Sequence, residues 1–129
     1  MREATRRTTS RPNGGAVQAS KVLGEEVVNR QNESLGKIQD MVLDAEDGRV
    51  SYAVLSFGGF LGMGNKLFAI PWQAFEHHAG EDKLILNVDK EKLQNAPGFE
   101  KEGRWPDFAD RTWGESIYSY YGYDTYWVP

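Results

Sequence analysis

The strongest candidates for chemistry in this 129-residue chain are four closely spaced glycines, Gly58, Gly59, Gly62 and Gly64, with Lys66 just beyond them. Glycine-rich loops bind phosphate when their backbone N–H groups can close around it at the start of a helix. The spacing fits neither familiar arrangement. Counted from Gly59, a phosphate loop would need Lys and Ser/Thr directly after Gly64, where the chain has Asn65, Lys66 and Leu67. A dinucleotide fingerprint needs a helix at that point, and Lys66–Pro71 (KLFAIP) reads as a strand. A small-ligand or enzymatic site in the 58–64 loop, with Trp72 nearby, is therefore the alternative reading. The glycines serve more simply as a wide connection between strands.

The remaining chemical groups are sparser. His77 and His78 are adjacent, and neighbours on a strand point to opposite faces, a poor metal clamp. They read as a surface strand end. Asp44, Glu46 and Asp47 precede Gly48 too closely for a calcium loop and read as turn formers. No Ser–His–Asp arrangement can be picked out. The expectation is no catalytic residue, no metal ligand, no cofactor and no small-molecule substrate.

Composition narrows the class. Zero cysteines exclude a disulfide framework and agree with a reducing compartment. No run of eighteen apolar residues is present, and the N-terminus lacks the apolar stretch of a secretory signal. A cytoplasmic protein is expected. Charge is uneven: residues 1–15 carry +3 through Arg2, Arg6, Arg7 and Arg11 against Glu3, and the remainder −7. The acidic body disfavours nucleic acid as a partner. Residues 1–18, rich in Thr, Ser and Gly, read as a disordered basic leader. RNA or ribosome association through that arm is the weaker alternative.

Strand signals dominate the chain beyond that leader. Glu26–Asn29, Leu35–Asp44, Arg49–Phe57, Lys66–Pro71 and Lys83–Val88 are strand candidates. The second begins by alternating and ends doubly buried or bulged at Met41-Val42-Leu43. Asp44–Gly48 turns it into the third as a hairpin. Trp72–Phe75 suits a single helical turn behind Pro71, and Asp89 suits a cap for a short helix over 90–95. Without a long helical period, the expectation is an all-β fold: a small antiparallel barrel of five to six strands.

Five ordered pieces make the pattern recognisable: Gly24-Glu25-x-Val27; Leu35-Gly36-x-Ile38-x-Asp40; Gly48-x-x-x-Tyr52; Gly58-Gly59-Phe60-Leu61-Gly62-x-Gly64; and Ala69-Ile70-Pro71-Trp72. Over residues 19–96 the chain resembles the PRC-barrel family, named for the cytoplasmic domain of the photosynthetic reaction centre H subunit. A related barrel forms the C-terminal half of a ribosome-maturation factor. The resemblance implies a compact β-barrel that docks onto proteins instead of performing chemistry. With neither the H subunit's membrane helix nor the maturation factor's N-terminal half, the chain is similar to a stand-alone bacterial PRC-barrel protein.

Residues 97–129 form an aromatic extension. Ten of the 16 aromatic residues lie in Phe99–Pro129, too much apolar area for a disordered tail. Thr112-x-x-Glu115 is a capping-box signal, Gly122 a stop, and Trp113, Ile117, Tyr120 and Tyr121 share a face, so a helix is predicted over 113–121. The segment either wraps its own barrel or crosses to a second copy. Stacking on nucleic acid is disfavoured by the surrounding acidic side chains. The expected function is non-enzymatic: a protein–protein interaction or structural module, a homodimer or a binder of another protein. Its candidate contact residues are Phe60, Leu61, Met63, Trp105, Trp113, Ile117, Tyr120 and Tyr121.

Overall fold

The computed structural model describes residues 15–57, 66–77 and 81–127. The glycine loop with Phe60, Leu61 and Met63, and also His78, lies outside these residues. Seven strands form one sheet in the order β5-β6-β1-β2-β3-β4-β7. They are β1 (Glu26–Val28), β2 (Ser34–Asp44), β3 (Arg49–Phe57), β4 (Lys66–Pro71), β5 (Phe75–His77), β6 (Lys83–Leu86) and β7 (Phe99–Glu100). Three helices accompany them: α1 (Ala19–Val22), α2 (Lys90–Gln94) and α3 (Arg111–Tyr121). The molecule is mostly β.

Three fold expectations change. The sheet has seven strands where five to six were expected, because Phe75–His77 and Phe99–Glu100 add short edges. Among the described residues no pairing joins β5 to β7, so the sheet runs open. It is also not wholly antiparallel: β1 lies parallel to β6, with Glu26 opposite Lys83 and Val28 opposite Ile85.

The β2–β3–β4 meander carries the core. Val54, Leu55 and Phe57 of β3 and Leu67, Phe68 and Ile70 of β4 are fully buried, each large side chain contributing about 1.5–3 kcal/mol. The continuous apolar runs follow from burial of the central strands on both faces. β2 is irregular as expected, but its own extra residue, Gln39, lies earlier than Met41–Leu43. Its register shifts between Ile38 and Asp40, and again where β3 inserts Ser51 between Val42 and Leu43. Double burial does not hold, because Leu43 is 71% exposed. The hairpin extends past its neighbouring strands there, which leaves that side chain open.

Local signals set the ends of elements. Gly48 turns the hairpin at φ 69°, with the Asp44 carboxylate accepting from the Glu46 and Asp47 amides at 3.1 Å each. Trp72–Ala74 is a single 3-10 turn. Asp89 caps α2 by accepting from the Lys92 amide at 2.8 Å, as expected. For α3 the cap is different. Asp110, not Thr112, accepts from the Thr112 and Trp113 amides at 3.0 and 3.2 Å, so the helix begins at Arg111. Gly122 closes it at φ 86°.

Candidate protein-contact site

The C-terminal segment packs on the chain's own sheet, and Gly114 explains how close it comes. A Cβ on Gly114 would lie 2.6 Å from the Tyr52 hydroxyl and 2.8 Å from the Trp127 ring. The absent side chain lets α3 settle over β4 and the Tyr52 side chain of β3, with Gly114, Ile117, Tyr118 and Tyr121 buried on its inner face. The buried face is therefore turned by about one residue from the predicted one. Ile117 and Tyr121 are under it, whereas Trp113 and Tyr120 flank it half-buried. Tyr118, absent from the expected site, is its anchor: 1% exposed, its hydroxyl donating to the Ser51 carbonyl at 2.9 Å. Burial pushes the Tyr118 hydroxyl well above the usual phenol range. The readable signal was the small residue at 114, in register with 117, 118 and 121.

Two arginines hold the end of the segment against the hairpin. Arg49 lies 4.0 Å from the centre of the Tyr126 ring, and Arg111 4.7 Å from that of Trp127. The Tyr126 hydroxyl donates to the Asp44 carboxylate, which also lies 4.0 Å from the Arg111 guanidinium. That hydrogen bond, ahead of those from the Asp47 and Glu46 amides and the Arg111 charge, holds Asp44 below the usual carboxylate range. Tyr126 moves the other way, pushed up to about 12 by burial first and by the carboxylate next. A cleft of about 720 Å³ lies here, walled by Val42–Glu46, Ser51, Tyr52, Pro106–Arg111 and the two rings.

From that cleft the aromatic residues continue as a ridge through Tyr52 and Phe108 to Trp113, Phe99 and Trp105. Phe99 and Trp105 are 5.1 Å apart between ring centres, Phe108 and Trp113 5.7 Å, and Trp113 and Tyr52 5.3 Å. The Trp105 indole N–H donates to the Lys101 carbonyl at 2.9 Å, which fixes the ring while leaving it half-buried. A shallow hollow of about 260 Å³ lies between Trp105, Trp113 and the segment Pro97–Phe99. Tyr120 stands apart, its hydroxyl donating to the Lys92 carbonyl of α2. Ile117 and Tyr121 are 1% and 8% exposed and are occupied inside the chain's own core.

The sequence model of the PRC-barrel domain matches residues 14–93. The chain belongs to the PRC-barrel family. The match runs from α1 to α2 and stops before the aromatic extension, so the ridge and the clasp lie outside it except for Tyr52 and the hairpin residues that the clasp grips. A search of curated proteins finds no match.

Among the described residues no group of three His, Cys, Asp or Glu side chains is placed to hold a metal ion. His77 lies 3.9 Å from Glu25, whose carboxyl is held above its ordinary range by burial, an effect that His77 opposes and Asp82 adds to. No described helix is long and apolar enough to cross a membrane.

Proposed function

We propose that this PRC-barrel protein is a non-catalytic interaction module that works as a cytoplasmic homodimer, joined through its aromatic ridge. The observation that carries the reading is the half-exposed pair Trp105 and Trp113 beside a shallow apolar hollow, held rigid by hydrogen bonding and ring packing. Rigid aromatic side chains are the residues that dominate the binding energy of protein interfaces, because they bury much area at small entropic cost. Tyr120, apart from that surface beside α2, and Phe60, Leu61 and Met63 are further candidate contacts. Ile117 and Tyr121, buried in the chain's own core, are left to anchor α3. The division into leader (1–18), barrel (19–96) and extension (97–129) is part of the same reading, with recognition placed in the extension.

Sedimentation equilibrium over micromolar concentrations tests it. The full chain is expected at twice its 14.6 kDa mass, and Trp105→Ala at single mass with unchanged far-ultraviolet dichroism. A wild-type chain that stays monomeric, together with affinity capture that recovers no partner, would remove the proposal.

A further inference from the structure

We propose that the cleft between the β2–β3 hairpin and the loop 106–111 is a docking site for an arginine-bearing segment of a partner protein. The site is separate from the contact through the ridge and does not depend on it.

An exposed apolar side chain marks the place. Leu43, at 71%, is the most exposed large apolar residue among those described, and it lines this cleft together with Val42. It lies at the end of the hairpin, past the point where β1 stops pairing with β2, and among the described residues only β3 runs beside it. Pro106 and Phe108, both half-buried, complete the apolar lining. Folding leaves this leucine in water, and a guest that covered it would gain from the same apolar burial that builds the core.

Charge selects the guest. The carboxylates of Asp44, Glu46, Asp107 and Asp110 line the cleft against a single cation, Arg111. Asp107 and Asp110 accept from the amides of Ala109, Thr112 and Trp113, neutral donors that hold the carboxylates in place without cancelling their charge. Arg111 is 4.0 Å from Asp44 and 3.9 Å from Glu46, too far for a hydrogen bond, and lies over the Trp127 ring. Glu46, with 90% of its side chain exposed, is open to a closer, two-pronged pair. A nucleic acid, or a second acidic copy meeting this cleft through the same face, would bring like charge against it.

The lining suits arginine better than lysine. The site already holds two guanidinium groups against rings, Arg49 4.0 Å from the centre of Tyr126 and Arg111 4.7 Å from that of Trp127. A planar guanidinium stacks on an aromatic face and still offers its edge to a carboxylate, whereas an ammonium is a compact, strongly hydrated charge. Phe108 lines the same cleft and, among the described residues, has no cation over its ring. A guest arginine that uses Phe108 and Glu46 repeats the arrangement, and apolar residues flanking it cover Leu43.

Titration of the full chain with blocked peptides, followed by amide and indole NMR signals, tests the assignment. The peptide Ala-Leu-Arg-Leu-Ala is expected to shift the amides of Leu43, Ala45 and Glu46 saturably. The same peptide with citrulline, the uncharged isostere of arginine, should bind about tenfold more weakly. Arginine amide alone should also be weaker by about tenfold, for want of the leucines. Leu43→Ser should lower affinity for the peptide about tenfold. Glu46→Gln should lower it about threefold, and Glu46→Lys should erase the advantage of arginine over citrulline, which a purely structural role for Glu46 would not do. Both side chains are exposed, so the fold is kept. Trp105→Ala is expected to bind the peptide as the wild type does, which separates this site from the ridge. The proposal is overturned by equal affinity for the arginine and citrulline peptides, by arginine amide binding as tightly as the peptide, or by indifference to Leu43→Ser. It is equally overturned if the Trp105 indole signal moves in place of the hairpin amides, or if no signal shifts saturably.

Discussion

The sheet and the C-terminal segment are held by different kinds of force. In the sheet, backbone ladders and aliphatic side chains dominate, and its large buried residues are interchangeable in kind. In the segment, one helix is seated by a missing side chain, one hydroxyl and two arginine–ring contacts. The first depends on volume and tolerates chemistry of the same size. The second depends on individual atoms.

Substitutions separate the two. The largest effect is expected in the sheet: Phe57→Ala empties a fully buried site and should cost about 3–5 kcal/mol in chemical denaturation. Gly114→Leu should cost about 2–3 kcal/mol, because its side chain meets Tyr52 and Trp127 and lifts α3; loss of near-ultraviolet dichroism would report the lift. Tyr118→Phe leaves the ring and removes the bond to Ser51, for an expected loss of about 1–2 kcal/mol. Should it cost nothing, the contrast between the two regions would fail.

pH should loosen the segment before the sheet. Tyr126 has a folded value raised to about 12 from its ordinary 10, so its contribution is full below pH 10 and lost as pH rises toward 12. Asp44 is lowered, so its contribution is present above its ordinary 3.8 and lost as pH falls below that value. Phenolate absorbance and Trp127 fluorescence should change together in the alkaline window, while the amide signal of the sheet stays constant. The smallest effect is expected at Tyr121, whose buried hydroxyl has no hydrogen-bond partner among the described residues. Tyr121→Phe should be neutral or raise the melting temperature slightly, opposite in sign to Tyr118→Phe three residues earlier.

Much of the fold was legible in the sequence where a local rule decides the outcome. The Asp44–Gly48 hairpin, the Asp89 cap and the Gly122 stop each depend on a few adjacent residues. What escaped depends on partners distant in the chain. β1 and β6 are short apolar segments whose parallel pairing nothing local encodes. Asp110 and Thr112 are both good capping residues, and the loop from Pro106 settles which one serves. Trp113, Ile117, Tyr120 and Tyr121 form a valid apolar stripe, yet Gly114 allows a closer seat for the adjacent one, with Tyr118 at its centre. The Arg49 and Arg111 clasps join residues far apart in the chain and leave no spacing to find.

The parallel pair also orders events in time. β1 comes first in the sheet but gains its second neighbour only when residues 83–86 have left the ribosome, whereas β2, β3 and β4 meet through short or moderate connections. A growing chain can complete the meander first and must hold β1 half-paired until β6 arrives. In refolding followed by pulsed exchange, the amides of Glu26–Val28 that face β6 should be the late ones to gain protection. The oldest strand of the nascent protein is then among the late ones to be fully paired.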